Sequence, residues 1–283
     1  MPNETKWPKP VTTQTDEQRR ISDDWMQYFH QICDSRFSAV AKFNHQYVVD
    51  HSPGGFLSTL DVGAGLGEHL NYEQLDAKQR AAYVALELRK NMANVIRQQW
   101  PTIQVCEADC QKRMPFQDGH FDRVVAIHVL EHLPNLPSFL TEAYRLLNKQ
   151  RGRLLVVIPC EGGLGYSLGR RFMSKRIFEQ RYNLSYEPLI AAEHVNKADE
   201  ILKELKRLFV SENTCFFPLR VPSVQLNLCI GLTLKPRPSA EKFTLLVTRR
   251  GCSSSTFRPA LESDSRSSSF RLGLRPKIEM DDH

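Results

Sequence analysis

Apolar residues along this chain follow two rhythms. Between positions 21 and 50 they recur at intervals of three and four: Ile21, Trp25, Tyr28, Phe29, Ile32, Phe37, Val40, Phe43, Tyr47 and Val48. That spacing gathers them on one face and predicts one or two amphipathic helices. After a turn at 51–55, apolar residues form short unbroken runs instead: one ending at Val62, then 81–87, 102–108, 121–128 and 152–159. Between these runs, 66–75, 89–100 and 136–148 carry helical spacing, the second stopped by Pro101. Unbroken Val/Ile/Leu runs suit strands buried on both faces. Their alternation with helices predicts βαβ units and a parallel sheet.

The rhythm breaks over 160–195. Gly162, Gly163, Gly165 and Gly169 loosen its start, and a basic, aromatic stretch from Tyr166 to Tyr182 follows. A helix is predicted at 196–209, strands at 209–217 and 224–234, and one more short strand at 240–249. Residues 1–20, polar with three prolines, read as a disordered arm, and the Ser/Arg-rich 251–283 as a disordered tail.

Composition changes this picture little. At 283 residues, 41% hydrophobic and 25% charged, the chain suits one large globular domain with appendages. No apolar run is long enough for a transmembrane helix, and the polar N-terminus does not resemble a secretory signal. Of the net charge of +6, the last fifty residues supply ten Lys/Arg against six Asp/Glu, which leaves the core near neutral. This argues against a nucleic-acid binder. Seven cysteines without a C-x-x-C pair read as free thiols in a reducing cytoplasm.

The candidate chemistry centres on Leu60-Asp61-Val62-Gly63-Ala64-Gly65-Leu66-Gly67-Glu68-His69. This is a buried strand turning sharply through glycines toward a helix, whose first N–H groups would point above the sheet. A dinucleotide fold wants G-x-G-x-x-G. Here the third glycine comes one residue early and Glu68 follows it, a poor neighbour for pyrophosphate but tolerable for a zwitterionic or cationic ligand. Twenty-odd residues on, Glu87 ends the second strand, and Asp109 follows the third.

In this order and spacing the segments resemble motif I and the following strands of class I S-adenosylmethionine-dependent methyltransferases, type 11 family. The resemblance covers 56–235 in architecture and is specific in 58–159. It implies a Rossmann-like α/β fold: a seven-stranded, mostly parallel sheet with an antiparallel edge hairpin and helices on both faces. The chain then divides into an arm (1–20), a helical cap (21–55), a cofactor-binding core (56–159), a lid insertion (160–195), a helix and edge strands completing the core (196–250), and a tail (251–283). For the cofactor, S-adenosylmethionine, the resemblance implies that Asp61 positions the turn and the methionine ammonium. Gly63, Ala64, Gly65 and Gly67 offer backbone contact. Glu87 takes the ribose hydroxyls, Leu88 packs on adenine, Asp109 with Cys110 meets the adenine edge, and His128 lies beside the methionine portion.

His128-Val129-Leu130-Glu131-His132 also matches H-x-x-E-H, a zinc-hydrolase signature. That chemistry needs both histidines on one helical face. Here the motif starts at a strand end and Pro134 follows it, so no metal is expected. Methyl transfer to oxygen needs alignment and a base. His128, His132 and His194 are the candidates, and Glu131 is expected to orient the turn or the cofactor's amino group. The expected acceptor is a small or lipid-like molecule, with the basic lid read as a solvated face, an anion site or a peripheral membrane contact. No Asn/Asp-Pro-Pro-Tyr motif follows the fourth strand, which argues against DNA adenine or glutamine amide acceptors. Two competing readings are a non-catalytic binding module and an RNA methyltransferase using the lid and tail. The sequence leaves the oligomeric state open.

Overall fold

The computed structural model describes residues 6–238. The strand expected at 240–249 and the tail from 251 lie outside the described residues. Seven strands form one sheet: β1 (Thr59–Val62), β2 (Tyr83–Leu86), β3 (Gln104–Cys106), β4 (Arg123–Ile127), β5 (Arg153–Pro159), β6 (Phe209–Phe217) and β7 (Cys229–Pro236). Their order is β3-β2-β1-β4-β5-β7-β6, parallel from β3 to β5, with β7 antiparallel to both neighbours. The expected seven-stranded sheet with its edge hairpin is therefore present. The order reverses between β1 and β4, which pair in parallel with Asp61 opposite Val125. In open α/β sheets the crevice at that reversal, beyond the carboxyl ends of the strands, is where ligands bind.

The strands are buried on both faces, as their composition dictates. Along β5, Leu154, Val156 and Ile158 join Leu60, Val62, Val124 and Ala126 on one face. There they meet the apolar sides of α5 (Leu136–Leu146) and α9 (Ala198–Leu208), among them Phe139, Leu140, Ile201 and Leu205. Leu155 and Val157 point the other way, to Tyr47 and Val48 of α2 (Ser38–Asp50). Close approach of α2 to the sheet depends on Gly231, where a Cβ would lie 2.6 Å from the Tyr47 ring.

The N-terminal helices divide the work. α2 packs on the sheet, whereas α1 (Asp16–Arg36) packs on the insertion. That insertion is three short helices, α6 (Leu164–Phe172), α7 (Ser174–Tyr182) and α8 (Glu187–Glu193). Trp25 of α1 stands edge-on to Phe178 at 5.3 Å and to Tyr186 at 5.9 Å. Residues 6–15, expected as part of a disordered arm, are held instead to the core. Lys9 donates to the Val195 carbonyl and Glu200, and its backbone N–H to the Pro134 carbonyl. Regular helix begins at Asp16 rather than 21.

The largest departure from expectation is 66–75, predicted as one helix. It is a single 3-10 turn, Glu68–Asn71, followed by a loop and a separate helix α3 (Ala77–Ala81). Asp76 starts α3 with a capping box shared with Gln79, so the helical signal belongs to a later start. The loop delivers Glu73 to a buried cation instead. Arg123, fully buried in β4, meets the Glu73 carboxylate at 2.7 Å, donates to Thr59 Oγ1 and Ser52 Oγ, and lies 3.7 Å over the Phe56 ring. The other helices and strands fall within the predicted limits, with α4 at Lys90–Gln99, except that β7 starts five residues later than predicted and runs on to Pro236.

Candidate active site

The turn after β1 folds over the end of β2. Gly63 and Ala64 donate to the Leu86 carbonyl at 2.8 and 3.1 Å. Gly63 has φ +64, and a Cβ there would lie 2.6 Å from Val129 Cγ2, so both the conformation and the space demand glycine. Gly65 then donates its N–H to Glu87 Oε2 at 3.0 Å, while Arg89 N–H donates to Glu87 Oε1 at 2.8 Å. Glu87 is thus locked by backbone on both oxygens. An ionised carboxylate has about four acceptor positions, so one on each oxygen stays available.

Above these residues lies a cavity of about 610 Å³. Ligand pockets for small molecules and cofactors are commonly about 300–1,000 Å³. Asp61, Gly63, Ala64, Gly65, Glu87, Leu88, Asp109, Cys110, His128, His132 and His194 all line it, so the structure gathers nearly every expected site residue. Gly67 is the exception: it sits against Trp100 and Ile96 with φ +87, and its role is to turn the chain. Asp61 accepts from the Tyr83 hydroxyl at 2.7 Å, and burial pushes its carboxyl up to about 6. Asp109 Oδ1 accepts from the Gln111 backbone and side chain. Burial likewise pushes the Cys110 thiol up to about 12. Burial acts to raise Glu68 too, but His30 of α1, 2.6 Å away, outweighs it and holds the carboxyl below its usual range.

At the other end of the cavity, His128 occupies the left-handed region at φ +53 and donates its N–H to the Val157 carbonyl. The turn it opens is tied to the end of the insertion. Val195 and Asn196 donate their N–H groups to the Glu131 carbonyl, and the buried Asn196 amide donates to the Leu130 and Leu133 carbonyls. This clamp brings His194 beside His132, ring centroids 4.7 Å apart and edge to face. His132 Nδ1 meets the Glu193 carbonyl at 2.9 Å, and His194 Nδ1 meets the Glu161 carboxylate. Burial and the neighbouring His194 push His132 down to about 4, so it is neutral at pH 7. Glu131 is buried; desolvation raises its carboxyl, but the hydrogen bond with His128 at 3.3 Å leads the opposing interactions and holds it down to about 2.

Sequence reasoning missed several of these residues. Glu161 and Glu193 orient the imidazoles, and Asn44 and His45 of α2 line the wall. None has a local motif; Glu161 and Glu193 act on partners 33 and 61 residues away. Four buried polar atoms of lining residues, Asn44 Oδ1, His45 Nδ1, His69 Nδ1 and Glu131 Oε2, have no hydrogen-bond partner. Buried polar groups are rarely left so. A ligand carrying donors and acceptors fits this wall, as does the glycine turn that leaves backbone uncovered. Ligating atoms of Glu131, His132 and His194 also lie within 4.8 Å of one another, close enough that a small contraction would let them share a divalent cation.

Residues 60–156 match the family model described as methyltransferase domain. Over this stretch, about a third of the chain, the protein is similar to S-adenosylmethionine-dependent methyltransferases of the type 11 family. Outside the matched stretch, similarity thins. A sterol 4-C-methyltransferase of Caenorhabditis elegans is 33% identical over 104 residues, 34% of this chain and 29% of the relative. A demethylmenaquinone methyltransferase of Tropheryma whipplei is 31% identical over 116 residues, 41% of this chain and 44% of the relative. The chain thus spans less than half the length of either relative in the matched region. The fold extends further: 1,6-didemethyltoxoflavin-N1-methyltransferase of Burkholderia thailandensis, crystallised with its acceptor and S-adenosylhomocysteine, superposes with a TM-score of 0.51 at 16% identity, over 81% of this chain and 94% of that one. The matched region supplies the strand-end half of the cavity, β1 to β4, whereas α1, α2 and α6 to α8 wall the remainder.

Proposed function

We propose that this methyltransferase moves a methyl group from S-adenosylmethionine to an oxygen of a lipid-like acceptor. One observation carries the reading: a single cavity joins a polar half at the strand ends to an apolar half formed by Trp25, Met26, Phe29, Phe37, Leu189 and Ile190. Glu87, fixed by two backbone N–H groups, keeps an acceptor position on each oxygen for the vicinal ribose hydroxyls. Gly63 and Gly65 leave backbone open to the methionine portion, and Asp109 with Cys110 stands at the adenine side. The unpartnered Glu131 Oε2 suits the cofactor's ammonium. When bound, S-adenosylmethionine supplies a methyl group on a sulfonium that leaves readily.

For an oxygen acceptor the protein must then align the hydroxyl and take its proton. His194 is placed for this. Its Nδ1 is engaged by Glu161, which fixes the ring and favours the imidazolium that forms, as a carboxylate does in the Ser-His-Asp arrangement. Nε2 is left for the acceptor's proton. His128 and His132 serve the turn: the one holds Glu131, the other pins the Glu193 carbonyl. The apolar wall and the named activities of the sterol and demethylmenaquinone relatives both support a lipid-like acceptor.

The test has two arms. S-adenosylhomocysteine should raise the melting temperature, a ligand at a hundredfold excess over Kd giving about 2.7 kcal/mol. Radiolabelled methyl transfer to a panel of long-chain phenols and alcohols should then reveal turnover. His194→Ala should lower kcat at least a hundredfold and leave the melting shift intact. No melting shift with either cofactor form at millimolar concentration would overturn the cofactor reading. Turnover unaffected in His194→Ala would overturn the base.

A further inference from the structure

Of the ten large apolar side chains that the described residues leave exposed, six belong to one place: Leu164, Leu168 and Phe172 of α6, and Leu219, Val221 and Leu226 of the β6–β7 loop. Exposures of 44 to 71% are high for six neighbouring apolar residues, since single exposed ones are normal and clusters are not. The two segments are joined. Gly165 N–H donates to the Gln225 carbonyl at 2.8 Å, and Leu164 N–H meets the Gln225 side chain. Asn227, fully buried, folds the loop by donating to the Val221 and Ser223 carbonyls. The patch is therefore built on fixed backbone.

Its charge is one-sided. No Asp or Glu occurs in 162–178 or in 213–238, while Arg170, Arg171, Lys175, Arg176 and Arg220 do. Arg170 is engaged by Glu161 and Glu187, and Lys175 by Glu187 and Glu179. Arg171, Arg176 and Arg220 are exposed and form no ion pair among the described residues. A shallow cleft beside the stripe is lined by four cations, Arg170, Arg171, Lys175 and Arg176, against two carboxylates, Glu179 and Glu187. Leu and Phe flanked by unneutralised arginine on a short amphipathic helix is the arrangement that lies in the interface of an anionic bilayer.

α6 also has a second side. Leu164, Leu168 and Phe172 fall four apart on its outer face, while Tyr166, Gly169, Arg170 and Met173 line the cavity. One helix thus separates the apolar patch from the acceptor half of the site. We propose that α6 and the 218–228 loop dock the protein on an anionic lipid surface, so that a membrane-resident acceptor enters the cavity past α6. The entry of the acceptor rests on the function proposed above; the docking itself does not.

Vesicle co-sedimentation of the full chain tests it, with phosphatidylcholine alone and with phosphatidylcholine mixed with phosphatidylglycerol. Wild type should sediment with the anionic vesicles and much less with the neutral ones. Leu168→Ser with Phe172→Ser should cut the partition coefficient at least tenfold. Arg171→Gln with Arg176→Gln should cut it roughly 25-fold, about fivefold for each cation removed near the surface. All four side chains are exposed, so the variants should keep the wild-type melting temperature and its response to S-adenosylhomocysteine. Failure of wild type to bind anionic vesicles, or equal binding by both variants, would overturn the docking face. Loss of a dimer in the variants, seen by light scattering without vesicles, would assign the face to a second copy and overturn it too. A melting response to S-adenosylhomocysteine without vesicle binding would reject the docking and leave the methyltransferase reading standing.

Discussion

Glu87→Gln probes the junction between fold and site. The native carboxylate accepts Gly65 N–H at 3.0 Å and Arg89 N–H at 2.8 Å, and it is buried. A glutamine of the same shape has one acceptor oxygen, so its amide NH2 must face one of those two donors. One charge-assisted bond is lost, worth about 1.5–3 kcal/mol, and the survivor weakens to a neutral bond, about 1 kcal/mol less. The sum is about 3 kcal/mol. For a domain of this size each kcal/mol lowers the melting temperature by about 2–4 °C, so Glu87→Gln should melt roughly 6–12 °C lower. Differential scanning calorimetry without ligand reads this term alone. Calorimetric titration with S-adenosylhomocysteine at a temperature where both forms are folded reads the second: loss of one acceptor to the ribose should weaken binding at least tenfold. A melting temperature within a degree of wild type would refute the structural argument. Unchanged affinity in a destabilised variant would refute the ribose assignment alone.

Four further outcomes are expected. Burial raises the Asp61 carboxyl to about 6, so between about pH 4 and 6 the unfolded chain has released a proton that the folded chain still holds, and folded stability falls as pH rises. Relative to Asp61→Asn, wild type should lose up to about 3 kcal/mol across that window in urea titrations; a flat difference would refute it. Arg123→Met removes one of the two partners of the buried Glu73 carboxylate, leaving His69 at 2.8 Å, and should cost about 3 kcal/mol, partly recovered by also replacing Glu73 with Leu; a double-mutant cycle in urea checks the coupling. Gly63→Ala combines φ +64 with a contact to Val129 and should cost about 2–4 kcal/mol, of which Val129→Ala restores only the steric part, as chemical denaturation would show. If His194 is the base, turnover should survive exhaustive chelation; loss restored by zinc would instead make Glu131, His132 and His194 ligands.

Much of the strand-end half of the cavity was legible because its logic is local. A strand that ends in glycine, followed at short intervals by an acid at the end of each next strand, places backbone and carboxylates at the same sheet edge whatever surrounds them. Asp61, Gly63, Gly65, Glu87 and Asp109 line the cavity for that reason. The strand runs also determined the sheet, since Val, Ile and Leu without polar interruption have no stable place except between two layers.

Only the tertiary structure decided the rest. The buried Arg123 draws Glu73 inward and with it a loop where helical spacing alone predicted a helix. The choice of α2 for the sheet and α1 for the insertion turns on which apolar face meets Gly231 and which meets Phe178 and Tyr186. Glu161 and Asn196 act across 33 and 66 residues, on His194 and on the Leu130 carbonyl. Spacing along a chain encodes which side chains share a face of one element; it carries no record of which elements then meet. The histidine end of the cavity, where Glu161 holds His194 and the Glu193 carbonyl meets His132, arises from that second kind of contact.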